Sequence, residues 1–156
     1  MNGQNKETGT QPRTQPGTQP RTQLSGSCLC GTLRYTVSGP WLRFMMCHCT
    51  RCRKVTGSAH ATNLFAHSEN FRWTAGETEA GRYELPTAVR FAGGFCRNCG
   101  SRMPNISRDG KSVTIPAGSL DEDPGILPQA RIYWGSRAPW TCLDEDLPRF
   151  EEGPAR

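Results

Sequence analysis

The sequence predicts one small domain that is mainly β and resembles a sandwich of sheets. Its apolar residues occur in short segments, and 17 glycines and 12 prolines separate these segments. Short strands joined by turns give this pattern, whereas amphipathic helices need an apolar period near 3.6 sustained over about ten residues or more. With 156 residues, the chain has room for one modest hydrophobic core. We therefore expect many short strands packed around a single core.

Short alternating segments mark the individual strands. The clearest is residues 32–37, where apolar and polar side chains alternate as in a half-buried strand. The other segments with strand-like composition are residues 41–46, 58–66, 71–74, 82–84, 89–91, 111–115 and 130–134. Turns are predicted at residues 38–40 and 116–120. Residues 53–57 are too few and too polar for more than one helical turn, and residues 140–150 are expected to be mostly irregular.

The N-terminal segment differs in composition from the rest of the chain. Residues 10–23 repeat a four-residue Thr-Gln-Pro pattern and contain almost no apolar side chains. Such a segment buries too little surface to offset the entropy lost on ordering. We therefore predict a disordered extension at residues 1–24, one folded domain at residues 25–150 and a short tail at residues 151–156.

Composition also bounds the partners and the compartment. The formal net charge of +5 is modest, and part of it belongs to the N-terminal segment, so nucleic acid is not an expected partner. No stretch approaches the roughly 18 consecutive apolar residues of a membrane span, and the polar N-terminus lacks the apolar segment of a signal peptide. A cytoplasmic location without a membrane partner is therefore expected, while assembly into a homo-oligomer stays open.

Seven of the eight cysteines fall into three closely spaced groups. The groups are Cys28 and Cys30; Cys47, Cys49 and Cys52; and Cys96 and Cys99. Alternate residues of a strand project to the same face, so two cysteines one residue apart can direct both sulfurs at one ion. In a reducing compartment, such paired spacing indicates metal binding more often than disulfides. The pattern therefore predicts metal binding through thiolates.

The number of thiols suggests two different sites. Structural zinc takes four tetrahedral ligands, whereas catalytic zinc keeps three protein ligands and one open position. The first and last groups together supply four thiols, here called the four-cysteine cluster, and the middle group supplies three, here called the three-cysteine cluster. A four-thiolate site would tie the start of the domain to its middle, and structural zinc contributes on the order of 10 kcal/mol in finger peptides.

The three-cysteine cluster could instead recruit a fourth protein ligand. Cys142 is the spare thiol, although a lone cysteine is more often a small buried hydrophobe. His48 lies between two ligands and in an extended strand points to the opposite face, so a satisfied or exposed side chain is expected there. His60 and His67 are isolated in the sequence, and each is either a distant ligand or none.

An open zinc position would suit a small anionic thiol. Zinc bound by three thiolates can take water, a thiolate or a carbonyl oxygen, and it lowers the pKa of the group that it binds. Arg51, Arg53 and Lys54 lie beside the three-cysteine cluster and could attract carboxylates, although an ordinary solvated turn explains them equally well. The three-cysteine cluster is therefore the candidate catalytic site.

A set of short motifs runs in order through the folded part of the chain. They are residues 26–31, 47–49, 52–54, 57–58, 71–73, 95–100, 118–121, 139–140 and 147–148. In order and spacing these motifs resemble the glutathione-dependent formaldehyde-activating family, whose domain is shared with centromere protein V. The resemblance implies a zinc-binding, mainly β fold related to a Rab-exchange-factor-like zinc module.

The same resemblance implies two zinc ions per chain and a type of reaction. The implied ligands are Cys28, Cys30, Cys96 and Cys99 for a structural zinc, and Cys47, Cys49 and Cys52 for a second zinc. The implied activity is that of a carbon–sulfur lyase that reversibly joins a small thiol such as glutathione to an aldehyde such as formaldehyde, as in S-hydroxymethylglutathione. The alternatives are a non-catalytic, zinc-stabilised module that binds a partner, and a zinc–thiolate redox sensor.

Overall fold

A computed structural model of the protein describes residues 12–142 and 147–153. Across them the chain forms thirteen short strands and one α-helix, α1 (Thr50–Thr56). In chain order the strands are β1 (Arg13–Thr14), β2 (Gln23–Ser27), β3 (Arg34–Ser38), β4 (Arg43–Cys47), β5 (Ala61–His67), β6 (Phe71–Ala75), β7 (Ala80–Glu84), β8 (Ala92–Cys96), β9 (Arg102–Met103), β10 (Asn105–Ile106), β11 (Ser112–Pro116), β12 (Ile126–Leu127) and β13 (Ala130–Ile132). The prediction of a small, mainly β domain is confirmed.

The described strands form four sheets. The largest has five strands in the order β10-β11-β5-β4-β13, and all its pairs are antiparallel except β13 with β4. Two three-stranded antiparallel sheets, β2-β3-β6 and β7-β8-β9, and the β1-β12 pair complete the arrangement. Strands β2, β4 and β8 each lead into or end at one of the three cysteine groups.

Alternating residues on several strands form the hydrophobic core. Tyr35 of β3 and Val113 and Ile115 of β11 are at most 1% exposed, because successive side chains of a strand point to opposite faces and only one face is buried. Cys28 and Cys96 belong to the same buried cluster. The four-cysteine cluster therefore borders the core, and the thiols that it contributes are partly shielded from water.

Helix α1 is longer than the single turn predicted at residues 53–57, and it begins three residues earlier. Cys49 caps its N-terminus, since the Cys52 backbone N–H donates to Cys49 Sγ at 3.4 Å. Gly57 ends the helix in a left-handed conformation with φ of 63°, which glycine adopts without steric cost. The cysteine spacing that suggested a metal ligand thus also contributes the helix cap.

Most predicted strands overlap observed ones, but residues 89–91 do not form a strand. Val89 is 85% exposed, and its carbonyl accepts a hydrogen bond from Arg108 Nη1 at 3.2 Å. The predicted strand at residues 130–134 is shorter than expected, because Tyr133 adopts a left-handed backbone conformation with φ of 55°. In both places side-chain contacts distant in sequence, or one unusual dihedral angle, override the local strand propensity.

The N-terminal segment differs from the disordered extension predicted for residues 1–24. Residues 1–11 lie outside the described residues, but β1 pairs antiparallel with β12 and β2 pairs with β3. Trp41 Nε1 also donates a hydrogen bond to the Arg21 carbonyl at 3.0 Å. Backbone hydrogen bonds hold this polar segment against the domain, and a prediction based on apolar content could not detect them.

Residues 140–142 and 147–150 contain no helix or strand, as predicted for residues 140–150. The acidic residues of the predicted irregular segment lie at positions 144–146, outside the described residues, as do residues 154–156 of the predicted tail. No helix among the described residues has the length and apolar character that crossing a membrane requires.

Candidate metal centres

The four-cysteine cluster brings together thiols from two distant parts of the chain. Its members are Cys28, Cys30, Cys96 and Cys99, whose sulfur atoms all lie within 4.8 Å of one another. The Cys28–Cys30 Sγ distance is 3.4 Å and the Cys30–Cys96 distance is 3.8 Å. Four thiolates around a tetrahedral zinc, with Zn–S bonds near 2.3 Å, lie about 3.8 Å apart. The spacing of the sulfurs therefore suits one tetrahedral ion.

Two similar turns position these four thiols. After β2, the Gly31 N–H donates to the Cys28 carbonyl at 2.9 Å, and after β8 the Gly100 N–H donates to the Cys96 carbonyl at the same distance. Both glycines have φ near 75°, at 74° and 75° respectively, a left-handed conformation that side chains with a Cβ rarely adopt. The glycine that follows each cysteine pair is therefore required by the geometry of the turn.

Polar groups around the four-cysteine cluster favour the thiolates of Cys30 and Cys99. Backbone hydrogen bonds also lower the pKa of Cys96, but desolvation and the neighbouring thiols outweigh them and raise it to about 11. The Leu33 N–H donates to Cys28 Sγ at 3.2 Å. The hydroxyl of Thr32 lies 3.2 Å from Cys30 Sγ, and this hydroxyl together with the Thr32 backbone lowers the pKa of Cys30 to about 5. The Ser101 hydroxyl likewise lowers the pKa of Cys99. Hydrogen bonds to the charged form of a thiol lower its pKa and orient it as a ligand.

The three-cysteine cluster forms where β4 ends and α1 begins. Its members are Cys47, the last residue of β4, Cys49, the N-cap of α1, and Cys52 in the first turn of the helix. Their three sulfur atoms also lie within 4.8 Å of one another. The structure thus brings all seven predicted ligands into the two groups that were predicted from the sequence.

The three thiols differ in how readily they lose a proton. Burial raises the pKa values of Cys47 and Cys52. Burial also disfavours the thiolate of Cys49, but hydrogen bonds from Cys52, Cys47 and the Arg51 backbone outweigh it and lower its pKa. Cys49 is therefore the thiol of this cluster that ionises most readily, and a bound cation would favour the thiolate form of the other two.

The remaining candidate ligands lie outside both clusters. His48 is buried, at 1% exposure, and its ring packs 4.9 Å from the ring of Trp134 and 5.1 Å from that of His60. It is thus buried among aromatic rings, and burial lowers its pKa. His67 lies at the exposed end of β5. Cys142 is exposed, so the expectation of a small buried hydrophobe at this position is wrong.

A pocket of about 820 Å³ is lined by Cys47 and Cys52 of the three-cysteine cluster and also by Cys28 of the four-cysteine cluster. Residues on its wall include Cys47, Cys52, His60, Phe91, Arg102 and Asp121. Of the basic residues that the sequence placed beside the cluster, Arg51 lies over the Phe91 ring at 6.0 Å, and none lines the pocket. The guanidinium groups in the wall belong to Arg90 and Arg102 instead.

Sequence reasoning missed these two arginines because they are distant in the chain from Cys47, Cys49 and Cys52. Arg102 reaches the wall because β9 pairs with β8, with Arg102 opposite Phe95. A weak signal exists in the adjacent glycines Gly93 and Gly94, since paired glycines within a strand indicate a close approach by another group. That signal does not identify the group that approaches.

The fold and the two clusters define a small β domain in which cysteine thiolates could hold two metal ions. Residues 23–136, more than half of the chain, match the family model described as "Glutathione-dependent formaldehyde-activating enzyme". The chain therefore belongs to this family, as the resemblance in its motifs indicated.

One solved structure supports the fold. The chain is similar to the crystal structure of a Rhodobacter sphaeroides protein, with a TM-score of 0.55 and 21% sequence identity. The similarity covers 69% of this chain and 98% of the other chain, so the two proteins share a fold over most of the described domain. No curated protein matches the chain in sequence.

Proposed function

We propose that the protein is a zinc-dependent carbon–sulfur lyase that joins and separates a small thiol, such as glutathione, and an aldehyde, such as formaldehyde. The observation that carries this proposal is that two members of the three-cysteine cluster, Cys47 and Cys52, lie on the wall of the pocket. Within the described part of the chain, no histidine or carboxylate joins the three sulfurs as a fourth ligand. A metal ion held there would have room for a substrate atom.

The two donor sets fit zinc in two different roles. Soft thiolates favour zinc over hard ions such as magnesium and calcium. The four-cysteine cluster would hold a structural ion that ties the turn after β2 to the turn after β8. Zinc bound by the three-cysteine cluster would supply a Lewis acid that favours a thiolate and polarises a carbonyl oxygen.

The reaction needs no oxidant or reductant. In the joining direction, the substrate sulfur forms a bond to the aldehyde carbon, the carbonyl π electrons move to oxygen, and the proton that leaves the thiol is gained by that oxygen. In the reverse direction the carbon–sulfur bond breaks and the proton returns to sulfur. The pocket would hold both reactants close together, which lowers the entropic cost of their encounter.

The ligand role of Cys49 can be tested by substitution. In zinc-loaded Cys49→Ser, the enzyme-dependent rate of adduct formation from formaldehyde and glutathione should fall by at least about a hundredfold, because loss of a ligand costs more than loss of a group that only orients a ligand. Exchange spectroscopy by NMR measures this rate against the spontaneous background. Cys142→Ser is the matched control, since Cys142 is an exposed cysteine outside both clusters.

Three outcomes separate the alternatives. Adduct formation above background in the wild type and in Cys142→Ser, but not in Cys49→Ser, supports the lyase. Equal rates for the wild type, Cys49→Ser and buffer contradict it and favour a non-catalytic zinc-stabilised module. Loss of activity in Cys142→Ser as well would indicate an effect of cysteine substitution that is unrelated to the three-cysteine cluster.

A further inference from the structure

Arg102 is a charged side chain on the pocket wall, and within residues 12–142 and 147–153 it forms no ion pair with a carboxylate. Its guanidinium is partly buried, and burial lowers its pKa whereas the nearby Cys52 raises it. Among the described residues, the ion pairs join Arg82 and Arg108 to Glu84, and none involves Arg102. A guanidinium that is withdrawn from water without a carboxylate partner carries a desolvation cost that an anionic ligand can relieve.

The guanidinium of Arg102 packs flat against the backbone of β8. A Cβ at Gly93 would lie 2.4 Å from Arg102 Nη1 and 2.8 Å from Nη2, so the guanidinium packs directly on the Gly93 backbone. Gly94 has a different reason for lacking a side chain, since a Cβ there would lie 2.5 Å from the Pro104 carbonyl oxygen. Gly94 therefore allows β9 to pair with β8, and Gly93 allows Arg102 to lie flat.

We propose that Arg102 binds a carboxylate of the thiol substrate and makes the pocket selective for carboxylated thiols, an inference that rests on the proposed function. Arg102 lines the same cavity as Cys47 and Cys52, so a thiol could present its sulfur to the three-cysteine cluster and its carboxylate to the arginine. A guanidinium held in place by the backbone offers two parallel N–H donors to a carboxylate, a geometry that lysine cannot reproduce.

Kinetics with glutathione and with its methylated form distinguish two roles for Arg102. In one it binds a carboxylate of the substrate, and in the other it only stabilises the charge of the cysteine thiolates. Arg102→Gln should raise the KM for glutathione by about tenfold or more, and change the KM for glutathione with both carboxylates methylated by less than about twofold. Arg102→Lys keeps the charge and should restore only part of the affinity. If Arg102→Gln lowers the activity toward both thiols equally, Arg102 acts on the metal site, and the proposal is overturned.

A binding measurement tests the same assignment without turnover. Titration calorimetry of zinc-loaded protein with S-methylglutathione, whose sulfur cannot become a thiolate, should show binding to the wild type and at least about tenfold weaker binding to Arg102→Gln. Arg72→Gln, an exposed arginine of β6, is the control and should bind like the wild type. Equal binding by Arg102→Gln and the wild type, or no binding by the wild type, overturns the assignment.

Gly93→Ala supplies an independent variant. The three atoms nearest to the added methyl group all belong to the flexible end of the Arg102 side chain. Zinc content and circular dichroism should therefore match the wild type while S-methylglutathione binds several-fold more weakly. Unchanged binding would show that binding does not require the packing of Arg102 against Gly93, and it would count against the proposal. If binding follows these expectations but no variant shows turnover, the proposed lyase fails and the carboxylate site stands.

Discussion

At the scale of single residues, some glycines are needed because a side chain at the same position would collide with a packed neighbour. Gly26 lies opposite Tyr35 in the β2-β3 pair, and a Cβ at this position would lie 2.2 Å from the Tyr35 ring and 2.5 Å from the Ser119 carbonyl oxygen. Tyr35 is 1% exposed, and its hydroxyl lies 2.7 Å from Ser119 Oγ. The missing side chain of Gly26 thus gives the buried tyrosine the space to reach its hydrogen-bond partner.

Gly26→Ala should lower the free energy of unfolding by about 2 kcal/mol, because the methyl group meets both a packed ring and backbone and forces them apart. Denaturant unfolding of the zinc-loaded protein measures the change. Gly118→Ala is the matched control, since a Cβ at Gly118 has no atom within 4 Å, and it should change stability by less than about 0.5 kcal/mol. Similar losses in both variants would contradict this account of Gly26.

The candidate ligands and the arginine of the pocket show how much a single residue reveals in the sequence. The grouping of the cysteines was predicted because their spacing in the sequence indicates a metal site: a C-x-C or C-x-x-C pair can direct two sulfurs to one ion. Arg102 carries no such local signal, and its place depends on the register between β8 and β9. The two cysteine clusters, whose members are marked by local spacing, were therefore predictable, and the position of Arg102, which depends on strand pairing, was not.

At the scale of elements, hydrogen bonds to the Glu122 carboxylate connect β2 to the segment that follows β11. Glu122 accepts hydrogen bonds from the Ser25 N–H at 2.8 Å and from the Ser25 hydroxyl at 2.6 Å. The Ser25 hydroxyl and backbone hold the pKa of Glu122 below its usual value of 4.5. The folded state therefore binds the ionised form, and this stabilisation is fully present above the usual pKa and is lost as the pH falls through the lowered one.

Glu122→Gln should lower the free energy of unfolding by about 1 kcal/mol at pH 7, a modest value because the group is close to solvent. Below the lowered pKa the difference between Glu122→Gln and the wild type should vanish, since the wild-type carboxyl is then protonated. Denaturant unfolding at several pH values measures both effects. A difference that persists unchanged at acidic pH would show that charge is not the cause.

The elements also differ in how predictable they were. Strand β3 was predicted because its alternating pattern records one buried face. Strand β1 was not predicted, because backbone pairing with β12 decides its conformation. Residues 89–91 were wrongly predicted to be a strand, because hydrogen bonding to Arg108 decides theirs. Local pattern was therefore sufficient for strands that bury side chains, and insufficient where distant partners supply the stabilising contacts.

At the scale of the whole molecule, the two clusters occupy different surroundings. The four-cysteine cluster includes Cys28 and Cys96, which belong to the hydrophobic core, and it connects turns that are far apart in sequence. The three-cysteine cluster draws all its thiols from one segment of six residues, and it contributes two thiols to the pocket wall where the four-cysteine cluster contributes one, that of Cys28. Loss of the first metal should therefore remove a long-range connection of the fold, whereas loss of the second should remove only a local one.

Metal removal should separate the two roles. Elemental analysis should find two zinc ions per chain in the wild type and one in Cys49→Ser. Brief treatment with a chelator should release the ion of the three-cysteine cluster first, because three thiolates leave one coordination position open to the chelator whereas four do not, and thermal unfolding should then change little. Cys96→Ser should lower the unfolding temperature strongly, since a structural zinc contributes several kcal/mol or more to folding. Release of both ions at one rate, together with unfolding, would instead mean that the two clusters stabilise the fold jointly and that neither is reserved for a substrate.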